Sequence, residues 1–292
     1  ISQMSNSKEN VRATKVEAIA PEISALAQKM IAKRQETGWR RAIVDSWLIT
    51  GRNLIRLKRN PIIIVAIAIF PIVFLAGFWI VGQKLMATQG VNYIQYLVPI
   101  INLQALFFAG LGAALMFAQD IESGMMDRCR AMPIARIATI AGLVVAYMVR
   151  ALLSTLILLL VAFAIFGFRF QGSVIDALGY LLLIVIFTAT CITGYSVLAI
   201  KLRRPALVNA VAIIPYTPLL LLSNGFSPTE NFPTWLQPII RYQPVSVTSD
   251  ALRSLVAGGS NSLWLFCFSL LWLVGLLIIF GVWAKNAYKQ LV

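Results

Sequence analysis

Eleven carboxylates and no histidine leave this 292-residue chain few groups that could move a proton or hold a metal. Histidine-based catalysis, histidine proton relays and histidine-ligated zinc are excluded outright. Cys129, Cys191 and Cys267 are odd in number and far apart, and they imply neither a disulfide framework nor a metal site. An integral membrane enzyme needs a convergent acid, base or metal cluster, and the carboxylates form none by spacing. The sequence has no Gly-x-x-x-x-Gly-Lys-Ser/Thr phosphate loop. Docking and recognition are the chemistry that remains.

The strongest docking pattern is the polar stretch from Gln119 to Pro133. Read as a short helix, it sets Ile121, Met125, Met126, Cys129 and Met132 on one face and Asp120, Ser123, Asp127 and Arg130 on the other. Methionine side chains are flexible and polarizable, which suits a face that seats in another protein's groove. A capped connector packing on its own helix ends is the plainer reading of the same pattern. A second candidate lies upstream. At 100° per residue, Trp39, Ile43, Val44, Trp47, Leu48, Leu54, Ile55 and Leu57 share half of a helical wheel, while Arg41, Asp45, Arg52, Arg56 and Arg59 share the other. That predicts an amphipathic interfacial helix over residues 39–60, its tryptophans at headgroup depth. Arg52, Arg56 and Arg59 repel one another and call for an anionic partner, either lipid phosphate or an acidic protein groove. Residues 1–38 are polar and mixed in charge, and read as a cytoplasmic tail.

A third set consists of polar and helix-breaking residues within apolar runs: Asn102 and Gln104, then Asn209, Pro215, Tyr216, Thr217 and Pro218. Each proline removes an intrahelical hydrogen bond, and carbonyls freed at membrane depth need a neighbouring helix or a water-lined cavity. These residues are candidates for lining a transport pathway, with interhelical packing as the alternative. Thr188, Thr190, Thr193 and Ser196 recur near helical spacing, which points to helix packing. Arg150 is the one charge inside an apolar run. Residues 151–168 could cross a bilayer unaided, leaving Arg150 to snorkel toward the membrane edge.

These residues are carried by six apolar runs, near 61–81, 94–118, 140–168, 177–200, 205–223 and 263–284. Each approaches or exceeds the ~20 residues that a helix needs to cross a bilayer. With 59% hydrophobic and 12% charged residues, the chain is an all-α polytopic membrane protein. Fourteen Lys and Arg residues flank one set of span ends and four the other, which predicts both termini in the cytoplasm. The formal net charge of +14 is thus spread along membrane edges, and nucleic acid is not an expected partner. Nothing before Pro61 has the apolar core of a signal peptide. The segment from Asn224 to Asn261 is too apolar for a free loop and too broken for a span.

The run Glu122-Ser-Gly124-Met-Met-Asp127-Arg128, followed by Met132-Pro133 and Arg136, resembles the coupling-helix loop of ABC-2 type exporter permeases. Tyr96-Leu-Val-Pro99, Phe166-Gly-Phe-Arg-Phe-Gln-Gly172 and Phe232-Pro-Thr-Trp235-Leu-Gln-Pro238 leading to Gln243-Pro244 resemble the daunorubicin/doxorubicin-resistance branch of that family. The resemblance spans roughly residues 39–290. It implies an ABC-2 transmembrane domain over 61–292, external re-entrant helices, and a cell (inner) membrane location. It also implies a second permease copy or paralogue and two cytoplasmic ATP-binding subunits that hold ATP and Mg, with no cofactor in this chain. Glu122, Gly124, Met125, Met126, Asp127 and Arg128 are then the expected ATPase-coupling residues. The implied function is ATP-driven export of a hydrophobic or amphipathic compound, drug-like or lipid. A proton-coupled exporter is the competing transport reading. It normally needs a carboxylate inside the bundle, whereas Asp120 and Asp176 fall at span edges.

Overall fold

The computed structural model describes residue 51 and residues 61–87, 93–124, 136–227, 229–259 and 262–289. The tail over 1–38, the helix expected over 39–60 with Trp39, Trp47, Arg52, Arg56 and Arg59, and Met125, Met126, Asp127 and Arg128 lie outside the described residues, residue 51 apart.

Six apolar helices form the frame. They are α1 (Pro61–Ala87), α2 (Tyr93–Glu122), α3 (Arg136–Ala164), α4 (Val174–Leu202), α5 (Pro205–Leu221) and, last in the chain, α8 (Ser262–Lys289). Between α5 and α8 come a 3₁₀ turn (Thr229–Asn231), α6 (Gln237–Tyr242) and α7 (Pro244–Ala257). Among the described residues there is no strand. The stretches Tyr93–Glu122, Val144–Ala164, Val174–Leu202 and Leu263–Ala287 are each long and apolar enough to cross a membrane, and α1 and α5 contribute shorter apolar stretches. This is a multi-pass membrane protein.

The ends of these elements follow from local chemistry. Ser173 caps α4: its hydroxyl accepts from the Asp176 amide at 3.2 Å while the Asp176 carboxylate accepts from the Ser173 amide at 2.8 Å. At the other end Arg203 adopts a left-handed conformation (φ 55°), and Pro205 opens α5 two residues later, so α4 and α5 meet in a tight basic turn. The third span ends earlier than its apolar run suggests. Gly167 is left-handed (φ 73°) and the Phe168 amide bonds back to the Ala162 carbonyl at 3.0 Å, closing α3 at Ala164. Residues 151–164 then supply only about 21 Å of helix against ~30 Å of hydrocarbon. Arg150 therefore lies inside the apolar stretch Val144–Ala164, and residues 151–168 are helical only in their first part. The fifth span is likewise shorter than 205–223: the Leu222 amide bonds to Pro218 and the Ser223 amide to Leu220, tightening the last turn.

Packing is centred on α2, whose Leu97, Val98, Ile100, Ile101, Leu103 and Leu106 are fully buried. Lipid tails are as apolar as leucine, so burial by itself does not drive spans together; close backbone approach does. Gly110, Ala114 and Ala118 recur every fourth residue on a buried stripe of α2. A Cβ at Gly110 would stand 2.8 Å from the Cβ of Cys191 on α4, so only glycine allows that contact.

Candidate functional site

The sequence-predicted coupling residues divide at Gly124. Asp120, Ile121 and Glu122 do not begin a separate short helix; they complete α2. The Gly124 amide then bonds to the Ile121 carbonyl at 3.2 Å, with Gly124 left-handed at φ 68°. Ser123 donates to the Asp120 carbonyl at 3.3 Å. The cap holds Glu122 exposed at the tip of α2.

Asn102 and Gln104 are both buried, but they do different things. Asn102 donates to the Tyr180 hydroxyl of α4 at 3.0 Å and accepts from the Thr155 hydroxyl of α3 at 2.9 Å, so one amide ties three helices. Gln104 keeps a buried Oε1 without a hydrogen-bond partner, and its side chain reaches toward the Tyr216 hydroxyl. Tyr216 also packs edge-on to Phe107 at 5.5 Å and tilted on Phe108 at 5.1 Å between centroids. Thr217 is half-buried, whereas Asn209 and Pro215 lie on the exposed side of α5. The pathway candidates thus do not converge: Gln104 and Tyr216 meet, Asn102 belongs to a joint, and Asn209 and Pro215 face outward. On α4, Thr188, Thr193 and Ser196 each bond to the carbonyl four residues back, at 2.7, 2.7 and 2.6 Å. Thr190 does the same at 2.8 Å and also reaches the Leu273 carbonyl of α8 at 3.3 Å, in keeping with packing.

Two further features were not picked out by the sequence pattern. The first is an ionic knot that joins α2, the turn after α5, and α7. Arg253 of α7 donates to the carbonyls of Tyr96 (3.0 Å), Asn224 (3.2 Å) and Gly225 (2.6 Å), and to the Asp250 carboxylate (3.1 Å). Its guanidinium stacks 3.4 Å above the Tyr96 ring. Asn224 donates to the other Asp250 oxygen at 2.6 Å, and the Tyr96 hydroxyl donates to the Asn224 carbonyl. Burial raises the Asp250 carboxyl above the ordinary carboxylate range, opposed by the neighbouring Arg253 charge; burial lowers Arg253, opposed by Tyr96 and Asp250. The knot locks α2, the turn after α5, and α7 around a cavity of about 650 Å³ that Thr229, Glu230, Gln237 and Arg241 also line. The i, i+3 spacing of Asp250 and Arg253 on a short amphipathic helix was the available signal; their partners Tyr96 and Asn224 are too distant in sequence to be inferred.

The second is a cavity of about 260 Å³ between α1, α2 and α3, lined by Phe70, Pro71, Ala105, Phe108, Ala109, Arg150 and Ser154. Arg150 also stands 5.9 Å from the Tyr147 ring centroid. Arg150 forms no ion pair with a carboxylate among the described residues. An arginine at the centre of a lone spanning helix costs about 2.5–3.5 kcal/mol on insertion scales, so a charge within an apolar stretch calls for a partner.

A bundle of apolar helices long enough to cross the membrane, one of them with two prolines inside it, joined by short helices between α5 and α8, defines a polytopic membrane protein. The sequence profile of the ABC-2 type transporter family matches residues 45–257, and the chain belongs to that family. It is similar to the daunorubicin resistance ABC transporter permease protein DrrB1 of Streptomyces coeruleorubidus, at 27% identity over 82% of this chain and 84% of that protein. It is also similar to the probable doxorubicin resistance ABC transporter permease protein DrrC of Mycobacterium tuberculosis, at 26% identity over 85% and 89% of the two chains. A putative transport permease of Cyanophora paradoxa is 28% identical over 78% of each chain.

Proposed function

We propose that this chain is the permease subunit of an ATP-driven exporter that moves a hydrophobic or amphipathic compound, drug-like or lipid, out of the cytoplasm or inner leaflet. The observation that carries the reading is near full-length similarity to permease proteins of drug-resistance ABC transporters, joined to a sequence without a phosphate loop. ATP and Mg belong to separate ATP-binding subunits, and a second permease copy or paralogue completes the complex. The chain sits in the cell (inner) membrane with both termini cytoplasmic, on the strength of its asymmetric basic flanks. Glu122, Gly124, Met125, Met126, Asp127 and Arg128 meet the ATPase, with the 39–60 helix alongside; Gln104, Tyr216 and Thr217 border the route. Asn102 supports it through the three-helix joint. A proton-coupled mechanism is disfavoured because the acidic residues described in or next to the long spans, Asp120, Glu122 and Asp176, sit at helix ends. Proteoliposomes holding the permease with its ATPase test this: doxorubicin accumulation should require ATP and survive collapse of the proton gradient. Accumulation driven by a proton gradient without ATP would overturn the reading.

A further inference from the structure

We propose that the cavity between α1, α2 and α3 receives the anionic headgroup of a membrane amphiphile (a phosphate, sulfate or carboxylate) on the Arg150 guanidinium, with the acyl or ring portion left in the bilayer. The choice of a membrane amphiphile as ligand rests on the export reading above; the choice of an anion rests on the cavity itself.

Depth comes first. Ala164 ends α3 fourteen residues past Arg150, about 21 Å of rise, and any tilt shortens that projection. With Ala164 set at one edge of ~30 Å of hydrocarbon, Arg150 lies roughly 9 Å inside the edge at the Arg136 end of α3. That is deeper than a headgroup normally sits but within reach of one drawn inward from the leaflet. The surroundings set the sign of the ligand. Phe70, Pro71, Ala105, Phe108 and Ala109 are apolar, Ser154 is the other polar side chain, and among the described residues no carboxylate lines the space. A planar guanidinium with five donors is matched by an oxyanion, which accepts two parallel hydrogen bonds from it. Size sets the limit. About 260 Å³ is below the usual span of a pocket that encloses a whole drug-sized ligand, ~300–1,000 Å³, yet holds a headgroup. Phe108 is partly exposed beside it, so the chains of the amphiphile have an apolar surface to follow out of the cavity.

The test uses the purified full-length chain in detergent, with phosphatidylglycerol or phosphatidylcholine added and retention read by native mass spectrometry. Wild type should retain phosphatidylglycerol roughly tenfold better than phosphatidylcholine. Arg150→Gln should abolish that preference, Arg150→Lys should keep most of it, and Ala109→Leu, which fills the cavity and leaves the charge, should abolish it too. Equal preference in wild type and Arg150→Gln, or a preference that survives Ala109→Leu, overturns the proposal. A second arm separates cargo from resident lipid: in proteoliposomes with the ATPase, ATP-dependent movement of a tail-labelled phosphatidylglycerol assigns the headgroup to cargo, and static retention assigns it to a bound lipid. Either assignment keeps the anion site. Retention is read without ATP or ATPase, so its loss leaves the export reading standing, and loss of export alone leaves the cavity standing.

Discussion

Arg253 shows how a single side chain can join parts of the chain far apart in sequence. Its donors satisfy three backbone carbonyls and one carboxylate while only 14% of the side chain is exposed. The pair is part-buried, so replacing one partner leaves the other's hydrogen bonds partly unmade, at a cost of about 1–3 kcal/mol. Arg253→Leu should therefore lower thermal stability sharply, and Arg253→Lys should recover only part because a point charge cannot reproduce the fork. Full recovery by lysine in a thermal-shift measurement would show that charge alone matters. Asp250 adds a pH dependence. Its folded-state pKa is raised above the ordinary carboxylate value of about 4, so the fold is favoured when Asp250 is protonated and loses that contribution as pH rises through the raised value. As pH rises from about 4, the ordinary carboxylate value, the melting temperature of wild type should fall relative to Asp250→Asn, whatever the constant offset between them. Parallel profiles would contradict the assigned direction.

Individual helices were legible in the sequence to different degrees. All six apolar runs are helices, because only helices satisfy their backbone in lipid. Their ends were less legible: Gly167 closes α3 before the apolar run stops, and Ser223 tightens the end of α5, so hydropathy alone overran both. The coupling segment was read as one short helix, whereas its first residues extend α2 and stop at a left-handed Gly124. Gly124→Val places a β-branched residue at positive φ and should cost on the order of 1–2 kcal/mol locally. Limited proteolysis near residue 124 should speed up in that variant and ATP-driven export should fall. Unchanged export would show that the cap does not set the register of the coupling loop. On α2, Gly110→Leu should separate the helix from Cys191 and cost about 1–3 kcal/mol, read as a lowered melting temperature.

At the scale of the whole molecule, the polar residues inside the bundle were visible as types but not as partners. Asn102 was a pathway candidate by position and turns out to tie α2, α3 and α4, since Thr155 and Tyr180 come from spans whose rotation hydropathy cannot fix. Family membership was legible because short loop motifs kept their order on the six-helix frame. Orientation is a prediction at this scale. A cysteine at Leu202, in the basic turn between α4 and α5, should label only from the cytoplasm, and one at Thr229 only from outside. The reverse pattern would invert the proposed topology.

In the proposed complex a separate ATPase drives the permease and docks on residues 125–128, beyond Gly124. Burial of two methionines is worth ~1.5–3 kcal/mol each in gross terms, against under about 1 kcal/mol for an exposed ion pair. Co-purification of the ATPase with Met125→Asp, Met126→Asp permease is the direct measurement. The ATPase should be lost from that variant, while Glu122→Gln should still assemble and couple hydrolysis to export less well. Recovery of the ATPase at wild-type stoichiometry with the double aspartate variant would contradict docking on these residues.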